Sequence, residues 1–179
     1  MTDQSVKTRI LENALDLYTS KPPQMVTVDE VAEAVGVSKG LIFYHFKSKD
    51  NLEKEVAYYT FNKLFTESIK KIHSVDDLID VTVDNFINLP HVMNFFAYIS
   101  GKVLHSGDFE LFRGFYEELN KIVIPLFEKE GIRDPAVTAT AIMSMFDGLA
   151  LYSMFYDIGD IENYRKLAKD FVKCRRLDK

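Results

Sequence analysis

Apolar side chains recur at three- and four-residue intervals along most of this chain, the period of a helix, and no run alternates as a half-buried strand would. Ile10, Ala14 and Leu17 mark one face of a first helix, from Lys7 to Tyr18. Val28, Val31, Ala32 and Val35 fall at i, i+3, i+4 and i+7 and predict a second helix of about two turns. Thr27 and Glu30 form a Thr-x-x-Glu capping box before it, in which the hydroxyl accepts an orphan amide and the carboxylate reaches back to the Thr amide. Gly36 ends that helix, since glycine takes the left-handed conformation without a Cβ penalty. Ser38 then caps a third helix running through Phe46, anchored by Ile42 and Phe46.

The pattern continues in the same way. Ser48 caps a long helix showing Leu52, Val56, Tyr59 and Leu64, extending to about Ile72. Ser74 with Asp76 and Asp77 opens another that ends near Leu89-Pro90, and a shorter one follows from His91 to Leu104. Asp108 to Glu130, closed by Gly131, carries Leu111, Phe112, Phe115, Leu119, Ile122 and Val123 on its apolar side. Pro125 inside it predicts a kink or break, because proline removes one helical bond and clashes with the preceding turn. Asp134-Pro135 reads as a cap followed by proline at the first helical position. The helix it opens, to Tyr156, is apolar all round and so is expected to be buried against other helices or another chain. Ala141, Ser144 and Gly148 give it a small-residue stripe that permits close approach. A last helix carries Tyr164, Leu167, Ala168, Phe171 and Val172. The fold class is all-α, about nine helices, divided into a three-helix unit at 1–47 and a helical domain at 48–179.

Residues 135–156 hold a single charge, yet Asp147, Thr138, Thr140, Ser144 and Ser153 would be costly at a bilayer centre and no flanking Lys or Arg anchors the run, so no membrane partner is expected. Cys174, the one cysteine, makes no internal disulfide and suits a reducing compartment. The N-terminal MTDQSVKTR lacks an apolar core of a secretory signal, so a cytoplasmic location is expected.

Chemistry concentrates at the second and third helices. Two short helices around a glycine turn can lay the second in a DNA major groove, its N-terminal residues toward base edges. Lys39, Lys47 and Lys49 lie close in sequence with no acidic residue between them, while the chain as a whole carries a net charge of −5. Any attraction to phosphate must therefore come from this local patch. If each lysine neutralises one phosphate, a dimer engages about six, and affinity falls on the order of a thousandfold between about 50 and 200 mM salt. Taken singly, His45 reads as a helix-surface residue, Tyr44 as packing and the lysines as a solvated face.

Together, residues 27–52 and the helix before them resemble the N-terminal DNA-binding domain of the TetR family of transcriptional repressors. The carrying residues are Thr27, Asp29-Glu30-Val31-Ala32, Gly36-Val37-Ser38 and Tyr44-His45-Phe46-Lys47-Ser48-Lys49. The resemblance implies that Thr27, Tyr44, His45, Lys47 and Lys49 hold phosphates while Ser38, Lys39, Gly40 and Leu41 approach bases. It also implies a homodimer formed through the last two helices, a double-stranded operator as partner, and a small-molecule effector that releases a repressor from it. Three positions depart from the family's pattern: Leu41 and Phe43, where relatives commonly have Thr and Tyr, and the loop Lys21-Pro22-Pro23-Gln24, where a glycine is usual. Leu41 offers an apolar contact suited to a thymine methyl.

Fourteen Phe and nine Tyr, without Trp, gather after residue 58. Most are packing, but rings together with Met143, Met145 and Met154 can leave a plastic apolar cavity between helices. The expected effector lining is Phe65, Phe86, Phe96, Phe112, Tyr116, Met143 and Phe146, and the scarcity of charge there points to a lipophilic compound: fatty-acyl, aromatic or drug-like. Ring faces would also accept a cation. No cofactor is implied. His73, His91 and His105 form no His-x-x-x-His pair, the nearest cluster to a metal site, His105, Asp108 and Glu110, lies at a helix junction where capping explains Asp108, and no phosphate loop or nucleophile elbow occurs, so neither a metal nor an enzyme is expected. The competing class is a helical protein-interaction module that no longer binds DNA; the three lysines argue against it.

Overall fold

The computed structural model describes residues 3–153 and 155–177, with the side chains of residues 3, 4 and 65 left aside. Among the described residues it contains nine α-helices: α1 Asp3–Ser20, α2 Val28–Val35, α3 Lys39–Phe46, α4 Lys49–Ile69, α5 Val75–Asn88, α6 Pro90–Ser106, α7 Glu110–Lys129, α8 Pro135–Tyr152 and α9 Ile161–Cys174. A short 3-10 turn, Pro23–Met25, precedes α2. The all-α expectation holds.

Contacts gather the chain into two units, residues 1–64 with 94–111 and residues 65–93 with 112–179. In the first, α1 buries Ile10, Leu11, Ala14 and Tyr18, α2 buries Val28, Val31, Ala32 and Val35, and α3 buries Ile42 and Phe46. Each Val, Leu, Ile or Phe side chain so buried contributes about 1.5–3 kcal/mol relative to exposure. Tyr18 stacks on Phe95 of α6, ring centroids 5.0 Å apart. Glu53 of α4 is buried as well, at 1% exposure. A buried carboxylate persists only if it is paired and hydrogen-bonded. Here Lys102 donates to Oε2, the Tyr98 hydroxyl donates to Oε1 at 3.2 Å, and Lys49 lies 3.5 Å from Oε1. The division by contacts thus differs from the division by role after residue 47, because α4 and the later part of α6 complete the core beneath α1 to α3.

The second unit is built on α5, α7, α8 and α9. Val75, Leu78, Ile79, Val83, Val123, Phe127, Ile132, Ala139, Ile142, Phe146, Ala168 and Val172 form one buried cluster. Arg165 of α9 binds Asp80 at 2.8 Å and Asp84 at 2.7 Å, and Lys169 reaches Asp80 at 2.7 Å, so α9 is clamped to α5 by charge as well as by packing. The chain beyond α9 returns to the α7–α8 turn: Arg133 N donates to Arg175 O at 2.8 Å and Leu177 N to Gly131 O at 2.9 Å.

Three local expectations are corrected. Of the kink or break expected at Pro125, the break does not occur: α7 runs through it as one element. Both Pro125 and Lys121 are exposed, so water can take the carbonyl that proline leaves without a donor. Asp134 does not cap α8 with its side chain; it sits at φ 48° and ψ 62°, and its carboxylate accepts from Arg175 at 2.9 Å instead. Finally, α8 ends at Tyr152 and not at Tyr156; within one chain Thr138, Ala139, Ile142 and Phe146 face the core, while Val137 and Leu151 stay in solvent, which leaves open the expected burial against another chain. No helix among the described residues is long and apolar enough to cross a membrane.

Candidate nucleic-acid interface

Helix α2 begins as the sequence dictates. Thr27 N donates to Glu30 Oε2 at 2.8 Å, and Glu30 N donates to Thr27 Oγ1 at 3.2 Å, completing the capping box. The Thr27 hydroxyl also donates to Glu30 Oε2 at 3.0 Å, and Lys21 Nζ reaches Glu30 Oε1 at 2.5 Å. The Lys21 bond first, then the two from Thr27, hold the Glu30 carboxyl at about 2, against 4.5 for the free side chain. Thr27 must therefore rotate its hydroxyl out of the cap to donate to a phosphate.

Gly36 closes α2 at φ 73°, ψ 40°, its amide donating to Ala32 and Glu33 carbonyls. Ser38 turns the chain into α3, its Oγ accepting from Leu41 N at 3.2 Å. With Ile42 and Phe46 turned inward, Gly40, Phe43 and Tyr44 are left on the exposed side of α3, and Leu41 and His45 are half-buried on its flanks. The Tyr44 and His45 rings meet edge-on, 5.2 Å apart. At Gly40 a Cβ would meet only Ser38 Oγ, at 3.7 Å, so nothing in the protein itself requires glycine there.

The three lysines differ more than their spacing suggests. Lys47 sits at the end of α3 with φ 66° and ψ −40°, a conformation L-residues rarely adopt. Its amide donates to Phe43 O, its Nζ donates to Tyr44 O at 2.8 Å, and no carboxylate among the described residues pairs with it. Lys39 donates to Asp29 Oδ2 at 2.7 Å, and Lys49 lies against buried Glu53. Sequence order hid Asp29, which comes from α2, whereas Glu53 stands four residues after Lys49 on α4 itself, an i,i+4 pair within reach of the spacing. A cation and an anion ten residues apart across a known turn were the available signal for the first.

The residues expected to line an effector site are dispersed. Phe146 belongs to the buried core of the second unit and Met143 packs against it. Phe86 and Phe112 are half-buried, and Phe112 meets Phe115 edge-on at 5.7 Å. Phe96 belongs to the first unit, 6.3 Å from the Phe95 ring. The Phe65 side chain and Met154 lie outside the described residues. Tyr116 donates its hydroxyl to Asp147 Oδ2 at 2.6 Å. Solvent reaches both, yet the surrounding protein strips enough water to push both groups upward in pKa, with the Tyr116 bond opposing the rise at Asp147. No cation among the described residues pairs with Asp147.

Comparison with known proteins agrees with this geometry. Residues 10–56 match the family model described as bacterial regulatory proteins, tetR family. The biofilm operon icaADBC HTH-type negative transcriptional regulator IcaR of Staphylococcus aureus (strain Newman) is 29% identical over 77 residues, covering 41% of this chain and 41% of that protein. The chain thus matches about two fifths of that relative's length. Among solved structures, a TetR transcription regulator from Haloarcula marismortui superposes with a TM-score of 0.83 at 14% identity, covering 96% of this chain and 98% of that one. A protein from Saccharomonospora viridis, assigned as a transcriptional regulator and solved in complex with choline, gives 0.74 at 19% identity over 99% and 100%. At such identities the structures speak to the fold, which they share over nearly their whole length.

Proposed function

We propose, for a chain whose helix-turn-helix domain belongs to the TetR family of bacterial regulatory proteins, that it is a DNA-binding transcriptional regulator acting as a homodimer on a palindromic operator. The observation that carries this reading is the reading head itself: a box-capped α2, a left-handed turn at Gly36, and an α3 whose exposed side is Gly40, Phe43 and Tyr44 with Lys47 at its end. Thr27, Tyr44, His45, Lys47 and Lys49 serve as phosphate contacts, and Ser38, Lys39, Gly40 and Leu41 approach the bases. Occlusion of a promoter makes it a repressor, in keeping with the negative regulation named for IcaR.

Duplication of the head follows from α8 and α9. Val137 at 68% exposure, Leu151 at 52% and Phe171 at 42%, with Leu167, leave apolar surface in water along both helices. A patch of that kind marks an interaction site, and a second copy of the same two helices is its occupant. Two reading heads then meet half-sites about one DNA turn or a multiple apart.

Control comes from a small molecule in the second unit, taken up beside Phe86, Phe112, Tyr116, Met143 and Phe146, the expected lining residues whose side chains are described in that unit. It acts by binding more tightly to a state whose heads no longer match the half-site spacing. A lipophilic effector suits the rings. Asp147 favours a second class, a lipophilic cation, because among the described residues its carboxylate pairs with the Tyr116 hydroxyl and with no cation; the choline-bound neighbour supports that class. Selection of bound duplexes from genomic fragments, followed by release assays with neutral and cationic lipophiles, tests the reading. Absence of any selected sequence would refute the regulator, and occupancy of the domain without a change in DNA affinity would refute the control.

A further inference from the structure

Asp29 stands in the first turn of α2, two residues after the Thr27 cap, and grips Lys39 from the first turn of α3 at 2.7 Å. Both side chains are open to solvent, at 68% and 50% exposure, so the pair contributes at most about 1 kcal/mol to the fold. Lys39 is also poorly placed for stability, since the positive end of the α3 dipole opposes a cation there. Nor does α2 need Asp29 for its cap, which Glu30 already completes. What the pair does affect is DNA.

A carboxylate at this end of α2 repels phosphates. While Lys39 stays on Asp29 the pair is net neutral and its carboxylate repels a phosphate brought beside it, so a sequence-blind complex gains little charge from this position. A base edge is different. An ammonium carries three donors, and guanine offers O6 and N7 side by side in the major groove, so Lys39 can keep one donor on Asp29 and give two to the base. We propose that Asp29 is a specificity-determining residue of the reading head: it orients Lys39 toward a purine edge and withholds it from phosphates. This rests on the DNA-reading function proposed above.

The test uses the full chain and two duplexes, one selected by the wild-type protein from a random library and one of scrambled sequence, with affinities followed by fluorescence anisotropy across a salt series. Asp29→Asn frees one cation per head, so binding to the scrambled duplex tightens about eightfold per head at about 0.1 M salt and its salt slope steepens by about 0.9 per head. The selected duplex gains less, and the ratio between the two falls. Lys39→Ala lowers the ratio by itself, and adding Asp29→Asn to it changes the ratio no further. An unchanged ratio in Asp29→Asn, whether both affinities rise together or neither moves, overturns the proposal, as does an equal change in the Lys39→Ala background. Failure of the wild-type protein to select any duplex is a separate result, and it removes the DNA-reading function itself.

Discussion

Lys47 combines an unfavourable backbone with a charge free to meet a phosphate, and replacing it by glycine separates the two. At φ 66° and ψ −40° an L-residue is strained. A backbone held in so sparsely populated a region costs such a residue about 1–2 kcal/mol, of which the greater unfolded-state entropy of glycine takes back roughly 0.5–1 kcal/mol. Lys47→Gly should therefore stabilise the fold by about 0.5–1 kcal/mol, or roughly 2–3 °C in Tm for a chain of this size. The same change removes one cation per head. With a slope of about 0.9 per phosphate, a dimer loses about 1.8 from its salt dependence and roughly 60-fold in affinity at about 0.1 M salt. Lys47→Ala is the control, because it removes the charge but keeps the strain. Thermal melts followed by circular dichroism and anisotropy titrations between about 50 and 300 mM salt read both effects. Two results would refute the reasoning: a Lys47→Gly protein that melts no higher than Lys47→Ala, or salt slopes that match the wild type in either variant.

Gly40→Ala should raise helix stability by about 0.5–1 kcal/mol, since Gly40 has an ordinary helical backbone and room for a Cβ, while weakening DNA binding by placing a methyl on the reading surface. Equal DNA affinity would show that α3 does not approach the bases at this point. Glu30 should titrate near 2 in the folded protein, against 4.5 unfolded, so its contribution to stability is present above the unfolded value and is lost as pH falls toward 2. Carboxyl chemical shifts followed by NMR would show it, and Lys21→Ala, which deletes the largest cause, should raise the midpoint; a wild-type midpoint at or above 4.5 contradicts the box. Replacing both Leu151 and Phe171 by Glu should give a folded monomer in sedimentation velocity, both being exposed within one chain. A persistent dimer would place its interface elsewhere.

Whatever depends on neighbours in sequence could be read from the sequence. The capping box at Thr27–Glu30, the left-handed turn at Gly36 and the burial of Ile42 and Phe46 all follow from spacing, and all are found. Partners supplied by another element could not be read in this way. Glu53 sits in a charged stretch and would pass for a solvated residue; only the arrival of Lys102 and Tyr98 from α6 lets it be buried. Asp134 precedes a proline as a capping residue should, yet Arg175, forty-one positions on, offers it a charged partner that the cap geometry cannot match. Pro125 breaks nothing because its turn faces water, a fact of placement and not of local sequence.

The composition of the first unit also has a consequence for how the chain is made. Its core takes Phe95, Ile99 and Val103 from α6, after an intervening stretch that belongs to the second unit. At about 5–20 residues per second of synthesis, the interval between Leu64 and Ser106 lasts roughly 2–8 s. During those seconds Tyr18 lacks its stacking partner, and Glu53 lacks Lys102 and Tyr98. A nascent chain halted there would expose the underside of its own DNA-reading helices, which makes that window the point at which a chaperone or a protease would meet it.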